Sequence, residues 1–156
     1  MKIKWKSLII SVAIPLLVGG LSSLVTRNSM KDFENLNKPP LSPSAIAFPI
    51  VWTVLFILMG IASYLVYQNG GNSQEKTNAL KLYGVQLIFN FFWSVIFFNF
   101  KAYNFAFIWL LALLILVICT AVSFYKISKS AGYLFIPYIL WVTFAGYLNL
   151  AIAVLN

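Results

Sequence analysis

Long runs of apolar residues, separated by short polar or charged segments, dominate the pattern of this chain. Five windows lack Asp, Glu, Lys and Arg over lengths that suit a membrane helix, which needs about 20 apolar residues to cross about 30 Å of hydrocarbon. They predict helices over about 7–26, 44–68, 80–100, 103–125 and 133–155. The runs do not alternate apolar with polar residues, as β-barrel strands do. We therefore predict an all-α membrane protein, a bundle of five transmembrane helices forming one domain over 1–156.

The first apolar run follows a basic N-terminus, Met1-Lys-Ile-Lys-Trp-Lys6, and two interpretations of it are open. Signal peptides also join basic residues to an apolar run, and Gly19-Gly-Leu-Ser-Ser23 resembles the small residues of a cleavage site. The run is long for a signal peptide, however, and four further spans follow it. We favour a retained first helix, in which Pro15 removes a backbone hydrogen bond and predicts a kink.

Composition agrees with the membrane class, because 62% of the residues are hydrophobic and only 9% are charged. The formal net charge of +8 comes from basic residues scattered at helix ends, and not from a stripe that would bind nucleic acid. Seven of the eleven basic residues fall on one predicted side of the membrane: Lys2, Lys4, Lys6, Lys76, Lys81, Lys126 and Lys129. The positive-inside rule then predicts a multi-pass protein of the cell membrane with a cytoplasmic N-terminus.

The longest connection, loop one over 27–43, separates the first two predicted helices. It ends in Lys38-Pro-Pro-Leu-Ser-Pro43, a sequence that cannot be helical because of its prolines. Phe33, Leu36 and Leu41 offer apolar anchors. Long loops in compact domains are usually functional or disordered, so loop one is either an ordered lid over a cavity or a flexible tether, and we favour the lid.

The residue types that are missing exclude most catalytic chemistry. The chain has no histidine, which excludes His-ligated metals and His-dependent nucleophiles, and we predict no metal site. Its three acidic residues, Asp32, Glu34 and Glu75, lie in predicted loops, so no carboxylate in a span is available for ion coupling. The lone Cys119 is expected to be a small packing residue. Aromatic, amide and hydroxyl groups remain, and they suit a large, flat, apolar ligand.

Aromatic and amide residues recur at helical spacing on three of the predicted helices. At 1.5 Å per residue, Trp52 and Trp141 lie about 12 Å and Trp93 about 20 Å from the helix starts, too deep for the interfacial belt. The stripes indicate either a ligand cavity or interhelical packing, and periodicity alone leaves both open; Trp109 on the fourth helix is expected to pack. The stripes are Phe48, Trp52, Phe56, Met59 or Gly60 and Ser63; Gln86, Asn90, Trp93 and Phe97; and Tyr138, Trp141, Ala145 and Leu148 or Asn149.

Several motifs, in order along the chain, resemble those of the translocator protein family, the tryptophan-rich sensory proteins also known as peripheral-type benzodiazepine receptors. They are Lys38-Pro-Pro-Leu-Ser-Pro43, Val51-Trp-Thr-Val-Leu-Phe-Ile-Leu-Met-Gly60, Ala62-Ser-Tyr-Leu-Val66, Gln86-Leu-Ile-Phe-Asn90, Trp93, Phe97-Phe98, Pro137-Tyr-Ile-Leu-Trp141, Phe144-Ala145 and Leu148-Asn149. The resemblance, to a bacterial member, implies a five-helix homodimer with a cavity beneath loop one. It also implies binding of porphyrins such as protoporphyrin IX and of isoquinoline carboxamide or benzodiazepine-type drugs, with no cofactor required.

The resemblance also suggests site residues. It associates Trp52 and Trp141 with porphyrin photochemistry, the only catalytic role expected, and Ala145 with the drug site. Together with the stripes, it predicts the ligand-binding set Phe48, Trp52, Phe56, Asn90, Trp93, Tyr138, Trp141, Ala145 and Leu148, while Gln86 and Asn149 are expected to form interhelical hydrogen bonds. The predicted function is a lipid-embedded receptor for tetrapyrroles and drug-like molecules, with light-dependent porphyrin degradation as a further activity and a transmembrane carrier as the alternative.

Two departures from the family pattern limit what the resemblance implies. Leu41 stands where many relatives have a tryptophan after Lys-Pro, which weakens the inference about loop one. The C-terminal segment from Leu148 to Asn156 lacks the tyrosine and the cation of the cholesterol motif, so sterol recognition is not expected there.

Overall fold

A computed structural model describes residues 2–43 and 47–156, and it confirms the predicted all-α class with five helices long and apolar enough to cross a membrane. Helix α1 is Trp5–Thr26, and a 3₁₀ turn, Arg27–Ser29, leads into the short helix α2, Met30–Glu34. The remaining elements are α3 (Ala47–Gln68), α4 (Ser73–Ser94) with a π-helical turn at Val95–Asn99, α5 (Tyr103–Ile127), α6 (Lys129–Tyr133) and α7 (Ile136–Leu155). The start predicted at 44 for the second span lies outside the described residues.

Two helix boundaries differ from the sequence prediction for local reasons. Helix α4 begins at Ser73 and not at 80, because the Asn72 side chain caps it by accepting hydrogen bonds from the backbone N–H groups of Gln74 and Glu75. The predicted helix over 133–155 is instead the short α6 followed by α7, which has Pro137 in its first turn. Capping groups and prolines set these ends, whereas the apolar windows show only where hydrocarbon is crossed.

The core lies between α3, α4, α5 and α7, and α1 packs on the outside of this group. Leu113, Val117 and Phe124 of α5 are fully buried, as are Tyr138 and Val142 of α7. In contrast, Pro15 and Thr26 are the only buried residues of α1. Cys119, expected to pack inside, is exposed on the outer face of α5, so that prediction was wrong.

Helix α1 approaches α3 very closely at Gly60. A Cβ atom at this position would lie 2.5 Å from the Cα of Val12 and 2.8 Å from the carbonyl oxygen of Ser11. Only glycine fits there without displacing backbone. The contact holds the N-terminal half of α1 against α3. The cavity described below lies along the C-terminal half of α1, from Leu16 onwards.

Loop one is ordered by an aromatic cluster and by polar contacts with three other segments. Phe33 is buried, with its ring centroid 5.9 Å from that of Phe48, 5.9 Å from Phe97 and 5.3 Å from Phe98. Leu41, by contrast, is 82% exposed, so its predicted role as an anchor was wrong. The proline segment that contains it is attached through its backbone instead, because Tyr147 donates a hydrogen bond to the carbonyl oxygen of Pro40 at 2.9 Å.

The ends of the helices next to loop one also bind it. Lys101, in the α4–α5 connection, forms an ion pair with Asp32 at 2.8 Å between Nζ and Oδ2. The hydroxyl of Ser29 donates to Oδ1 of Asn99 at 2.6 Å. At the end of α7, Asn156 donates from Nδ2 to the carbonyl oxygen of Asn37 at 2.9 Å and accepts from its N–H at 3.2 Å.

Candidate functional site

A cavity of about 510 Å³ lies between α1, α3 and α4 and is bounded at one end by the start of loop one. Its volume is within the range of about 300–1,000 Å³ that is typical of small-molecule sites. The aromatic residues in its wall are Phe48, Trp52, Phe56, Trp93 and Phe98. The polar residues are Ser22, Ser23, Thr26, Arg27, Thr53, Asn90 and Ser94, and the rest are Leu16, Gly19, Gly20, Met30 and Pro49.

Two stacked ring pairs make the aromatic wall rigid. Trp52 stacks on Phe56, one turn further along α3, with ring centroids 5.6 Å apart. Trp93 stacks in the same way on Phe97 at 5.2 Å, and its Nε1 donates to Oδ1 of Asn149 at 3.0 Å. Because these indoles are already held in place, they offer flat apolar surfaces to a ligand at little loss of side-chain entropy.

A chain of buried hydrogen bonds runs from the cavity into the core. Asn90, which lines the cavity, donates from Nδ2 to the hydroxyl of Tyr138 at 2.7 Å. Tyr138 donates in turn to Oε1 of Gln86 at 2.8 Å, and Gln86 contacts the sulfur of Met59 at 3.8 Å. In a low-dielectric interior, such a satisfied network holds its members in one arrangement. It fixes the amide of Asn90 relative to the cavity wall.

Trp141 lies behind Trp52 and faces a different depression. Their rings meet edge to face at 6.4 Å, and Trp141 also meets Phe48 at 6.0 Å. Trp141 lines a groove of about 450 Å³ between α3 and α7, whose wall is otherwise aliphatic apart from Pro137. Its buried Nε1 has no hydrogen-bond partner among the described residues. The two tryptophans that the sequence treats alike therefore have different surroundings.

The predicted ligand set divides into two groups in space. Phe48, Trp52, Phe56, Asn90 and Trp93 line the cavity, whereas Tyr138, Trp141, Ala145 and Leu148 do not. Ala145 and Leu148 are each 5% exposed within the core, because α7 packs along α5. Tyr138 touches the cavity only through Asn90 and through the edge of Trp52. A role for these four in ligand binding stays a prediction.

The wall that the sequence prediction missed comes from α1 and the start of loop one. Eight lining residues belong to this region: Leu16, Gly19, Gly20, Ser22, Ser23, Thr26, Arg27 and Met30. The spacing of Gly19 and Ser23 was a usable signal, since small residues at that spacing allow a close helix approach. A Cβ on Gly19 would lie 2.6 Å from Cε2 of Phe56, so the glycine leaves room for this ring.

Trp109 and the two amides outside the predicted ligand set have structural partners. Trp109 stacks on Phe89 at 4.4 Å and donates from Nε1 to the Phe89 carbonyl oxygen at 2.9 Å, so its expected packing role is confirmed. Gln86 bonds Tyr138, and Asn149 bonds both Trp93 and the carbonyl oxygen of Tyr103, as expected for interhelical contacts. Over residues 2–43 and 47–156, no three His, Cys, Asp or Glu side chains come together as a metal site.

Comparison with known proteins connects this architecture to one group. The sequence model of the TspO/MBR family matches residues 11–155. The chain is 37% identical to the tryptophan-rich protein TspO of Chlorobaculum tepidum over 124 residues, covering 80% of this chain and 78% of the relative. It is 35% identical to the TspO protein of Archaeoglobus fulgidus over 150 residues, 96% of each chain. It is 33% identical to the translocator protein of Bos taurus over 138 residues, covering 87% and 82%.

Proposed function

The chain belongs to the TspO/MBR family of membrane proteins, and from this premise we propose that it is a receptor that binds tetrapyrroles such as protoporphyrin IX, and isoquinoline- or benzodiazepine-type molecules, in the cavity between α1, α3 and α4. The observation that carries the proposal is the wall itself. Trp52 and Trp93, each stacked on a phenylalanine, face the same space of about 510 Å³.

The chemistry of the wall suits a large aromatic ring system. Stacking and edge-to-face contacts with indole contribute about 0.5–1.5 kcal/mol each beyond simple burial of apolar area. Asn90 supplies a polar group in the same wall. One hydrogen of its Nδ2 is used by Tyr138, so its Oδ1 can accept from a ligand donor and its second N–H can donate to a ligand acceptor. The receptor role therefore needs no titratable catalytic group, in agreement with the composition of the chain.

Titration of protoporphyrin IX into the protein in detergent or nanodiscs tests this function, with the shift of the porphyrin absorbance band as the readout. We expect saturable binding, weakened about threefold to tenfold by Trp52→Phe through the loss of indole contact area. Trp109→Phe is the matched control, because Trp109 stacks on Phe89 and does not line the cavity. Absence of saturable binding in the unaltered protein would contradict the proposal.

A second candidate function is light-dependent degradation of a bound porphyrin by dioxygen. It is favoured by the position of Trp52 in the cavity wall and of Trp141 at 6.4 Å behind it, since indoles are readily oxidised side chains. When the porphyrin complexes are illuminated in air, the porphyrin bound to the unaltered protein should bleach faster than the porphyrin bound to the Trp52→Phe/Trp141→Phe double variant. Equal bleaching rates would contradict a degradation activity and would support porphyrin binding without turnover.

Transport, assembly and orientation are separate proposals that follow from family membership. A carrier would produce porphyrin flux into liposomes above that of protein-free vesicles, and equal flux would exclude this alternative. We propose a homodimer, which light scattering of the detergent complex can measure against the 17.6 kDa of one chain. We also propose a cytoplasmic N-terminus. The cysteine of a Lys2→Cys variant should then not react with membrane-impermeant thiol reagents in intact cells.

A further inference from the structure

Of the residues that the structure describes, Arg27 is the only charged one in the wall of the cavity. Arg27 directly follows α1 and begins the 3₁₀ turn at the start of loop one. It is an exposed residue. The other polar lining residues are neutral hydroxyls and the amide of Asn90, and within 2–43 and 47–156 no carboxylate lines the cavity. A guanidinium stays protonated at any physiological pH, so the cavity carries a permanent positive charge at this end.

This charge is not neutralised within the described part of the chain. The nearest acidic residue along the sequence is Asp32, whose Oδ2 is bound by Lys101 at 2.8 Å. That ion pair is the one salt bridge among residues 2–43 and 47–156, so Arg27 has no carboxylate partner there. Glu75 lies in the first turn of α4, whereas Arg27 is beside the opposite end of that helix, where Ser94 shares the cavity wall.

The end of α1 contributes a polar strip to the cavity wall. Ser22, Ser23 and Thr26 precede Arg27 on the last turn of α1, and they line the cavity beside it. Leu16, Phe56 and Trp93 form the apolar part of the wall. Arg27 lies at a span end, where water and lipid head groups are available, so an ionised group bound to it need not enter hydrocarbon. A ligand with an apolar ring system and a peripheral anion fits this distribution.

We infer that Arg27 is a specificity-determining residue that makes the cavity selective for ligands carrying a carboxylate. The guanidinium forms a bidentate, charge-assisted pair with this group, while the apolar body of the ligand stacks on Trp52 and Trp93. This inference rests on the proposed receptor function and adds the ligand class to it. The carboxylate has two possible sources, a tetrapyrrole propionate or the head group of a single-chain fatty acid.

Protoporphyrin IX and its dimethyl ester are the probes that isolate the carboxylate, because they share the ring system and differ in charge. Both are titrated into nanodiscs of phosphatidylcholine containing the unaltered protein, Arg27→Gln or Arg27→Lys. Lys31→Gln is the matched control, since Lys31 is an exposed cation one turn further on that does not line the cavity. Competition by oleate against bound diacid tests the fatty-acid source.

We expect the unaltered protein to bind the diacid about fivefold to tenfold more tightly than the ester, as one charge-assisted pair predicts. Arg27→Gln should remove this preference without weakening the ester, Arg27→Lys should keep part of it, and Lys31→Gln should retain it in full. Displacement of the diacid by oleate would assign the same site to fatty acids, and no displacement would assign it to tetrapyrroles.

Two other outcomes separate the possible failures. If the unaltered protein and Arg27→Gln bind diacid and ester with equal affinity, the inference is overturned and the receptor function stands. If neither porphyrin binds to any variant, the proposed function itself is wrong. A folding defect in Arg27→Gln would weaken both probes equally, and the retained preference of Arg27→Lys then decides the question.

Discussion

The hydroxyl of Tyr138 accepts a hydrogen bond from the side-chain amide of Asn90, with 2.7 Å between the oxygen and Nδ2. The two residues come from α7 and α4, and only Asn90 reaches the cavity. The same hydroxyl donates to Oε1 of Gln86, so it pairs with one polar atom of each of two buried amides. The wall of the cavity is thus held from behind by a residue that does not itself line it.

Tyr138→Phe is expected to destabilise the protein by about 1–3 kcal/mol, because it leaves two buried amide groups without their partner. It should also weaken ligand binding indirectly, since Asn90 loses the bond that orients it. Thermal unfolding in detergent, followed by intrinsic fluorescence, measures the first effect. Tyr147→Phe is the control, since Tyr147 is 42% exposed and makes a single bond to the Pro40 carbonyl oxygen. Equal losses for the two variants would contradict the argument.

Trp93→Phe should cost more stability than Trp141→Phe, although each replaces an indole by a phenyl ring. Trp93 donates from Nε1 to Asn149, so its replacement orphans a buried acceptor and is expected to destabilise by about 1–3 kcal/mol. The Nε1 of Trp141 is buried without a partner, so Trp141→Phe removes an unsatisfied donor and should be close to neutral. The difference between the two melting temperatures is the measurement, and a larger loss for Trp141→Phe would refute it.

Gly60→Ala is expected to destabilise the contact between α1 and α3 by about 1–3 kcal/mol, because the added methyl group would overlap backbone atoms of α1. Gly84→Ala provides the control on α4. Nothing lies within 4 Å of a Cβ at Gly84, so this change should stabilise by about 0.5–1 kcal/mol through helix propensity alone. The denaturation midpoints of the two variants are measured in the same detergent. An unchanged midpoint for Gly60→Ala would contradict the prediction, because it would mean that α1 shifts away from α3 without loss of stability.

The attachment of loop one through Lys101 should depend on pH. The hydrogen bond to Asp32, and secondarily its charge, raises the pKa of Lys101 above the ordinary 10.5. A group whose pKa is raised on folding contributes its stability below the unfolded value and loses it as the pH rises through the folded value. On the alkaline side the contact is therefore complete at neutral pH and is lost above about pH 10.5.

A nitroxide label tests this pH dependence. The label is attached to a cysteine replacing the exposed Leu41, in a Cys119→Ser background. Its mobility is expected to rise above about pH 10.5. In Asp32→Asn the mobility should be higher at neutral pH and should change less with pH. High salt should also loosen the contact in the unaltered protein, because the pair is exposed. A mobility that is independent of both pH and Asp32 would show that the other contacts hold loop one alone.

Much of the fold could be predicted from the sequence, because crossing hydrocarbon is a requirement on each segment alone. Every span must satisfy its backbone hydrogen bonds internally and expose apolar side chains, so its position is visible in the apolar windows. The helix ends were less accessible, as the early start of α4 shows, since one capping side chain at Asn72 decides it. The buried Phe33 and the exposed Leu41 were indistinguishable as apolar loop residues and were separated only by packing.

The all-α membrane class and the family could be read from the sequence alone, and helical periodicity also placed Phe48, Trp52 and Phe56 on one face of α3 and Asn90 and Trp93 on one face of α4, without showing that these faces line a cavity. The helix that completes the cavity wall, by contrast, became known from the packing of the helices in the structure. Helix α7 also carries a stripe of aromatic and amide residues, but its Ala145 and Leu148 are buried along α5. The third side of the cavity is instead formed by α1, which has no such stripe and is followed by Arg27. The physical reason is that the periodicity of a helix indicates which of its faces is buried, but not which helix packs against that face. The packing partner depends on contacts between segments far apart in sequence, such as that of Gly60 with Val12.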